Sequence, residues 1–581
     1  MEKFMVGTAT NVFSEIDRQF ARFMVRLSEE TLLSEPKALL VAAALASNAV
    51  GKGNICTLLA QWAGRSIAWT EDEVEEEYLC PDVEAWEEQL TQAPVVGKPG
   101  EFKPLILDAK HRLYLHRYWS YERELADTIL EKARTVMDGL DDGRLKAGIE
   151  RLFPGSVEET DWQRVAASAA VRQAFTAISG GPGTGKTYTV VKILALILEQ
   201  SEKRSLVALC APTGKASSRL KGMIKELKPG LDCSPEVKAM IPEEASTIHR
   251  LLGPVRGRRR FRFNEENQLP HDVVVVDESS MSDLPLMSKL ALALPEKSRL
   301  ILLGDKDQLA SVEPGAVFGD ICESLCSSVV ELTRSYRFTP ESGIGRLSRL
   351  VKEGDGAGAL ELLKSGDFAD ISWRPVPQAD VLSRVIEKEV LDRYAEYLKS
   401  DTAQEAFARF NAFHLLCALR EGPHGVEAIN ETIEDLAVRH ALIRRDGRWY
   451  KGRPLMILSN DYRLKLYNGD VGILFPDADE SLRAFFPTEE GSFRTILPGR
   501  LSAFETAYAI TVHKSQGSEF DHVLLLLPDR YSEVVTRELV YTGITRAKKK
   551  VEIWGREETF IEAVSRQIRR ESGLKDRLRD R

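Results

Sequence analysis

Residues Gly180, Gly181, Pro182, Gly183, Thr184, Gly185, Lys186 and Thr187 fit the spacing G-x-x-x-x-G-K-[ST]. Glycines here let the backbone aim successive N–H groups at a phosphate, and a helix start behind them adds a favourable field. Lys186 would neutralise the outer phosphates, and the Thr187 hydroxyl would hold Mg²⁺. An apolar run, Ala174–Ile178, precedes the loop and a helix-like segment, Tyr188–Leu198, follows it. That context favours a nucleoside triphosphate site over a glycine-rich turn without a ligand. Asp277 and Glu278 end a second apolar run, Val273–Val276. An acid pair at such a strand end suits metal binding by Asp277 and activation of a water by Glu278. Alone it would more often be a solvated loop; its place about ninety residues after the phosphate loop favours chemistry. Gln308, after the run Leu300–Leu303, carries an amide that both donates and accepts, as a sensor of the terminal phosphate must.

These residues need a scaffold. Strand-length apolar runs at Ala174–Ile178, Leu206–Cys210, Val273–Val276 and Leu300–Leu303 alternate with helical patterns, which predicts a buried parallel sheet. A second such region holds Phe413–Cys417, Ala507–Thr511 and His522–Leu527. Between its parts, short strands with turns and no helix suggest a small inserted β-barrel at 447–503. The expected class is α/β, with tandem parallel-sheet domains at 121–335 and 336–581. A mostly helical domain at 1–120 precedes them, with segments such as Phe13–Leu32 and Lys37–Ala46. Within 253–270, alternating Arg and Phe (Phe261, Arg262, Phe263) predict an inserted β-hairpin with one apolar and one basic face.

Composition sets the outer bounds. At 581 residues with 43% hydrophobic content, several cored domains fit. A net charge of −9 argues against nucleic-acid binding over the whole surface but not against a local groove. Acidic Glu71–Glu77 and the arginines Arg256, Arg258, Arg259, Arg260 and Arg262 show how uneven the charge is, although such runs are usually solvated faces. The seven cysteines are scattered and form no C-x-x-C pair, so a reducing, cytoplasmic setting is expected. The N-terminus lacks a basic start followed by an apolar run, and no apolar run is long enough to span a bilayer.

The order of these motifs resembles that of superfamily 1 helicases. Asp161-Trp-Gln163 looks like the family's adenine-reading segment, with Gln163 as reader. Ala211–Ala216 and Ser246–Leu252 resemble its strand-holding motifs, and Leu332–Phe338 the opening of its second motor domain. Ala507–Gly517 and Val540–Ala547 complete the set, so the likeness runs from 161 to about 555. Within the superfamily, ISGGPGTGKT, LLGDKDQLASVEPGAVFGDI and TVHKSQGSEFDHV resemble the RecD family, the α subunits of exodeoxyribonuclease V. The likeness is looser before the motor, chiefly around Gly51–Leu58.

The resemblance implies two RecA-like motor domains that sandwich ATP, with Mg²⁺, and 5′→3′ movement on DNA. It also implies RecB-like and RecC-like partner subunits docked on the N-terminal domain, at double-strand DNA ends. The stand-alone branch of the family carries further N-terminal helix-hairpin-helix domains. The roughly 160 residues before the motor leave little room for them, which favours the subunit reading. Lys186, Asp277, Glu278 and Gln308 would act with Arg337 and Arg546, whose planar permanent charge suits a transferring phosphoryl group. Thr213, Thr247, His249, Thr511, His513 and Lys514 would line the DNA track. Hydroxyls and amides bind phosphates without reading bases. Arg258 and Arg260 would arm the hairpin as a pin or phosphate clamp at the duplex junction. No carboxylate cluster suited to a nuclease is evident outside the motor motifs, so cleavage is expected from a partner chain. The intact motor residues argue against a purely regulatory subunit.

Overall fold

Strands that are apolar on both faces must be covered on both faces, and this chain does so twice. The computed structural model describes residues 13–579 except 29–35, 72–73, 155–159, 202–203, 256, 258–259, 340, 446, 462 and 489–490. In the first motor domain, β1 (Phe175–Gly180), β2 (Val207–Ala211), β3 (Ser246–Thr247), β4 (Val273–Val276), β5 (Arg299–Gly304) and β6 (Val329–Leu332) form one parallel sheet. The spatial order is β6-β1-β5-β4-β2-β3, which puts the ends of β1, β5 and β4 side by side. Every residue of β1, β4 and β5 is buried, as a central strand between helical layers requires. Three helices matter for the site: α1 (Trp162–Arg172), α2 (Lys186–Gln200) and α3 (Gly214–Leu227).

The second motor domain repeats the plan with β7 (Ile371–Pro375), β8 (Phe413–Cys417), β9 (Ala509–Thr511), β10 (Phe520–Leu526) and β11 (Ala547–Gly555), in the order β7-β11-β10-β8-β9 and all parallel. Its helix α4 (Arg537–Ile544) lies between β10 and β11 in the chain and is buried along most of its length.

Three regions differ from the sequence reading. The inserted unit is an antiparallel five-stranded sheet that ends with Phe504–Thr506, beyond the expected limit at 503. Its outer strands, Phe493–Ile496 and Phe504–Thr506, do not pair with each other among the described residues. The result is an open sheet over its own small core, which includes Leu455, Leu474, Phe486 and Ile496. The N-terminal region holds helices Glu15–Leu27, Pro36–Gly51 and Val83–Thr91, but also a four-stranded sheet and the hairpin Ser66–Glu71/Val74–Leu79. The strands of that sheet, two to four residues long, are too short to show a period in sequence. The expected Arg/Phe hairpin is reduced to isolated bridges, Pro254 with Phe261 and Asn264 with Asn267. Phe261 and Phe263 turn onto the core of the first motor domain instead of extending a ladder.

After α4 and β11 the chain returns across the cleft. Arg570 donates to the carbonyls of Glu313 (2.7 Å) and Gly315 (2.9 Å). Arg577 Nε donates to Glu122 Oε1 (2.9 Å), a carboxylate that is wholly buried in the N-terminal half. The last helix, Leu574–Arg579, thus ties the second motor domain to both earlier regions.

Candidate nucleotide cleft and strand groove

The phosphate loop joins β1 to α2. Gly183 (φ +78°) and Gly185 (φ +80°) adopt the left-handed backbone that only glycine takes without strain. A Cβ on Gly183 would lie 2.3 Å from Arg337 Cβ, so the second motor domain's first segment packs against the tip of the loop. Tyr336 N–H donates to Gly183 O (2.8 Å), and its exposed ring lies beside Gly185. Lys186 Nζ folds onto the loop and donates to the carbonyls of Gly180 (2.5 Å) and Gly181 (3.2 Å). Gln163, at the start of α1, donates from Nε2 to Thr184 O (3.2 Å). Thr187 is buried in the first turn of α2.

Asp277 follows β4, buried. Burial first, and then the charge of Glu278, raise its carboxyl above the ordinary range, against the pull of Lys186 and Arg219. Glu278 holds a left-handed backbone (φ +51°), an uncommon state for a side-chain-bearing residue, and its N–H donates to Asp277 Oδ1 (2.9 Å). Past β5, Gln308 Nε2 donates to Asp305 Oδ2 (2.8 Å), and the same carboxylate oxygen accepts from Tyr541 OH (3.2 Å). Gln308 Oε1 accepts from Arg546 Nη2 (3.1 Å). Arg546 also donates to the carbonyls of Thr542 (3.2 Å) and Ser518 (3.3 Å), which fixes its fork at the end of α4. A hydrogen-bonded chain therefore crosses from the first motor domain to the second. Leu309 N–H to Thr542 Oγ1 (3.0 Å) and Gln516 Nε2 to Leu309 O (2.9 Å) reinforce it.

Sequence reasoning missed Asp305, Tyr541, Arg219 and Glu519. Glu519 Oε1 accepts from Arg337 Nη2 (2.7 Å) and from Arg219 of α3, so one carboxylate bridges the cleft. No spacing in the chain signals such a contact, because Arg219 and Glu519 are 300 positions apart.

The expected DNA residues divide. Thr213, Thr247 and Thr511 all act as local caps, accepting from the backbone N–H of Ala216, Arg250 and Lys514 at 3.2 Å each. A capping hydroxyl keeps its own O–H free to donate, so the cap and a phosphate contact are compatible. His249 packs against Phe261 (ring centroids 5.8 Å apart), and burial holds its pKa below the usual value. His513 is depressed for the same reason. Lys514 Nζ donates to Asn468 Oδ1 (2.8 Å) of the inserted unit. Arg260 is exposed, whereas Arg258 lies outside the described residues.

Of that set, only Thr247 lines a cavity of about 630 Å³ between α3, the second motor domain and the inserted sheet. Its walls carry Lys215, Lys221, Arg250, Lys465 and Arg494, with Tyr467 and Phe486 among them and Glu244 and Asp470 as the acids. Basic side chains beside the half-buried Tyr467 ring suit a sugar-phosphate backbone with a stacked base, whereas Phe486 is buried in the inserted sheet's own core. Tyr467 sits where a Cβ on Gly214 would be, 2.6 Å from its ring, which locks the inserted unit onto the start of α3.

Three sequence families match in chain order: the RecBCD enzyme subunit RecD N-terminal domain over 9–114, an AAA domain over 163–314 and a UvrD-like helicase C-terminal domain over 506–553. The RecBCD enzyme subunit RecD of Mycolicibacterium smegmatis is 39% identical, over 94% of this chain and 95% of that protein. The protein of the same name from Haemophilus influenzae is 34% identical, over 98% of each. Among solved structures, a Pif1 helicase from Bacteroides with ADP-AlF3 and ssDNA aligns with a TM-score of 0.38 at 18% identity, over 69% of this chain and 92% of that one. No helix among the described residues is long and apolar enough to cross a membrane. On identity and coverage together, the chain belongs to the RecD family of helicase subunits.

Proposed function

We propose that this chain is an ATP-dependent 5′→3′ DNA helicase and translocase that works as the RecD-type subunit of a helicase–nuclease complex at double-strand DNA ends. The observation that carries the reading is the bonded path from Asp305 through Gln308 to Arg546 across the motor cleft. It links a sensor on one domain to a phosphate-stabilising arginine on the other. The relatives named RecBCD enzyme subunit RecD supply the complex, with RecB-like and RecC-like partners.

The donor set suits the ligands. Thr187 and Asp277 offer a hydroxyl and a carboxylate oxygen, the hard donors Mg²⁺ takes alongside water and phosphate. When bound, ATP and Mg²⁺ supply the scissile phosphoanhydride and neutralise its charge. Lys186 gives a compact charge at the loop, and Gln163 with the Tyr336 ring frames the base side. Glu278 takes the proton of the attacking water at its carboxylate. Arg546, held by Gln308, and Arg337 bring positive charge from the second motor domain as the cleft closes. Closing and opening move Thr213 and Thr247 relative to Thr511, His513 and Lys514, and with them a DNA strand. Arg260 and the Arg/Phe segment act at the duplex junction in this reading, which the contact of Phe261 with His249 supports by joining the segment to the strand-holding motif.

The test uses duplexes with a 5′ or a 3′ single-stranded tail, given to the chain alone and with its partner subunits. Unwinding confined to 5′ tails is expected, lost in Lys186→Gln. Unwinding confined to 3′ tails contradicts the RecD-type polarity, and an ATPase indifferent to single-stranded DNA contradicts the motor.

A further inference from the structure

We propose that Glu519 is the positioning residue that couples the strand groove to the nucleotide, by dividing one carboxylate between Arg219 and Arg337. The inference rests on the motor reading above and adds a route between its two sites.

Three elements meet at this carboxylate. Glu519 stands directly before β10 in the second motor domain. Arg219 belongs to α3, the helix capped by Thr213 and covered at Gly214 by Tyr467. Arg337 is rooted on the phosphate loop, by its Cβ against Gly183 and by the neighbouring Tyr336 N–H on Gly183 O. Both guanidinium groups reach the same oxygen, Oε1. The side chains of Glu519 and Arg337 are 14% and 19% exposed, so solvent screens the contact weakly. Burial alone would raise the Glu519 carboxyl; Arg219 and then Arg337 outweigh it and pull it down to about 2. The carboxylate is therefore charged throughout the physiological range.

The arrangement is unbalanced. Among the described residues Arg337 Nη1 is buried without a hydrogen-bond partner, so half of its fork is unsatisfied while the other half is held by Glu519. A terminal phosphate at the loop presents several anionic oxygens and outcompetes a shared carboxylate for a planar fork. Once Arg337 turns to phosphate, Glu519 belongs to Arg219 alone and α3 is drawn harder toward the second motor domain. Arg219 also lies within the field of Asp277 and Glu278, so its helix senses the metal side of the cleft as well. Because coupling is reciprocal, a strand that shifts α3 must change nucleotide affinity by the same factor.

The readout is equilibrium binding. The affinity of the full chain for a fluorescent oligo-dT is measured by anisotropy, with and without a non-hydrolysable ATP analogue and Mg²⁺, and the ratio is the coupling. For the wild type a ratio on the order of 5- to 150-fold is expected. In Glu519→Gln and in Arg219→Ala the ratio falls to within about twofold of unity, and Glu519→Asp, which keeps the charge, restores part of it. A merely structural role would lower Tm or both affinities and leave the ratio intact. A coupled wild type with an equally coupled Glu519→Gln overturns the inference alone. A wild type whose two affinities are independent overturns it together with the motor reading. Should Glu519→Gln fail to fold, Arg219→Ala decides the matter, because it leaves Glu519 paired with Arg337.

Discussion

The nucleotide cleft and the strand groove are built by opposite methods. In the cleft, the glycine loop, Asp277 and Gln308 follow buried strands and stand where β1, β4 and β5 end side by side. Several of its polar atoms are held in place: Gln308 by Asp305 and Arg546, Lys186 by loop carbonyls. In the groove, side chains from α3, the segment around Thr247, and the inserted sheet face each other across open space. A reaction needs its charges held to fractions of an ångström, whereas a track that must release and re-bind a strand needs charge and stacking surface without a fixed register.

Substitutions should therefore cost more, and more selectively, in the cleft. The largest effect is expected for Arg546→Ala, which removes transition-state charge and strands Gln308: a kcat for ATP lower by on the order of 10³-fold or more. Lys186→Ala comes next, with a loss on the order of 10²- to 10³-fold in kcat from the missing electrostatic donor. Steady-state ATPase assays with saturating single-stranded DNA check both. A loss under tenfold in either would break the view of the cleft as a preassembled catalytic unit. Tyr467→Ala should weaken single-stranded DNA binding by about 1–3 kcal/mol in a titration, by loss of a stacking ring and of the lock on Gly214. Unchanged binding would remove the inserted sheet from the groove.

The smallest effect is a pH dependence. Burial first, offset by Asp470, sets the Lys215 amine down to about 8 at the groove wall. Below that pH the amine is charged and attracts phosphate; as pH rises through about 8 the charge is lost and strand affinity should decline. The salt dependence should decline with it, by roughly 0.7 in log–log slope for one phosphate contact. Lys215→Arg, charged at every accessible pH, should abolish that decline. A parallel decline in the arginine variant would move its origin away from Lys215.

Much of the cleft was legible beforehand because its chemistry is local. A phosphate loop needs glycines, lysine and threonine within eight positions, and the acids and sensor sit at strand ends marked by apolar runs. The groove was less legible. The threonines expected to line the track serve as caps as well, and its cavity draws on Tyr467, Lys465 and Arg494, which sit in turns and strands without a motif. The Arg/Phe segment misled for a related reason. Its alternation matches a ladder, yet burying Phe261 and Phe263 on the motor core outweighed pairing them in one.

Sequence alone therefore determined the two parallel sheets, from strand periodicity, and the positions of the glycine loop, the acid pair and Gln308, from residue types at short spacing, while the order of motifs carried the resemblance to the family. Only the tertiary structure decided which groups face each other: Arg546 on Gln308, Tyr541 on Asp305, and Arg219 with Arg337 on Glu519. All but the Arg337–Glu519 contact join residues from different domains. Their partners are chosen by how two sheets pack across a cleft, and nothing in the local chain encodes that distance.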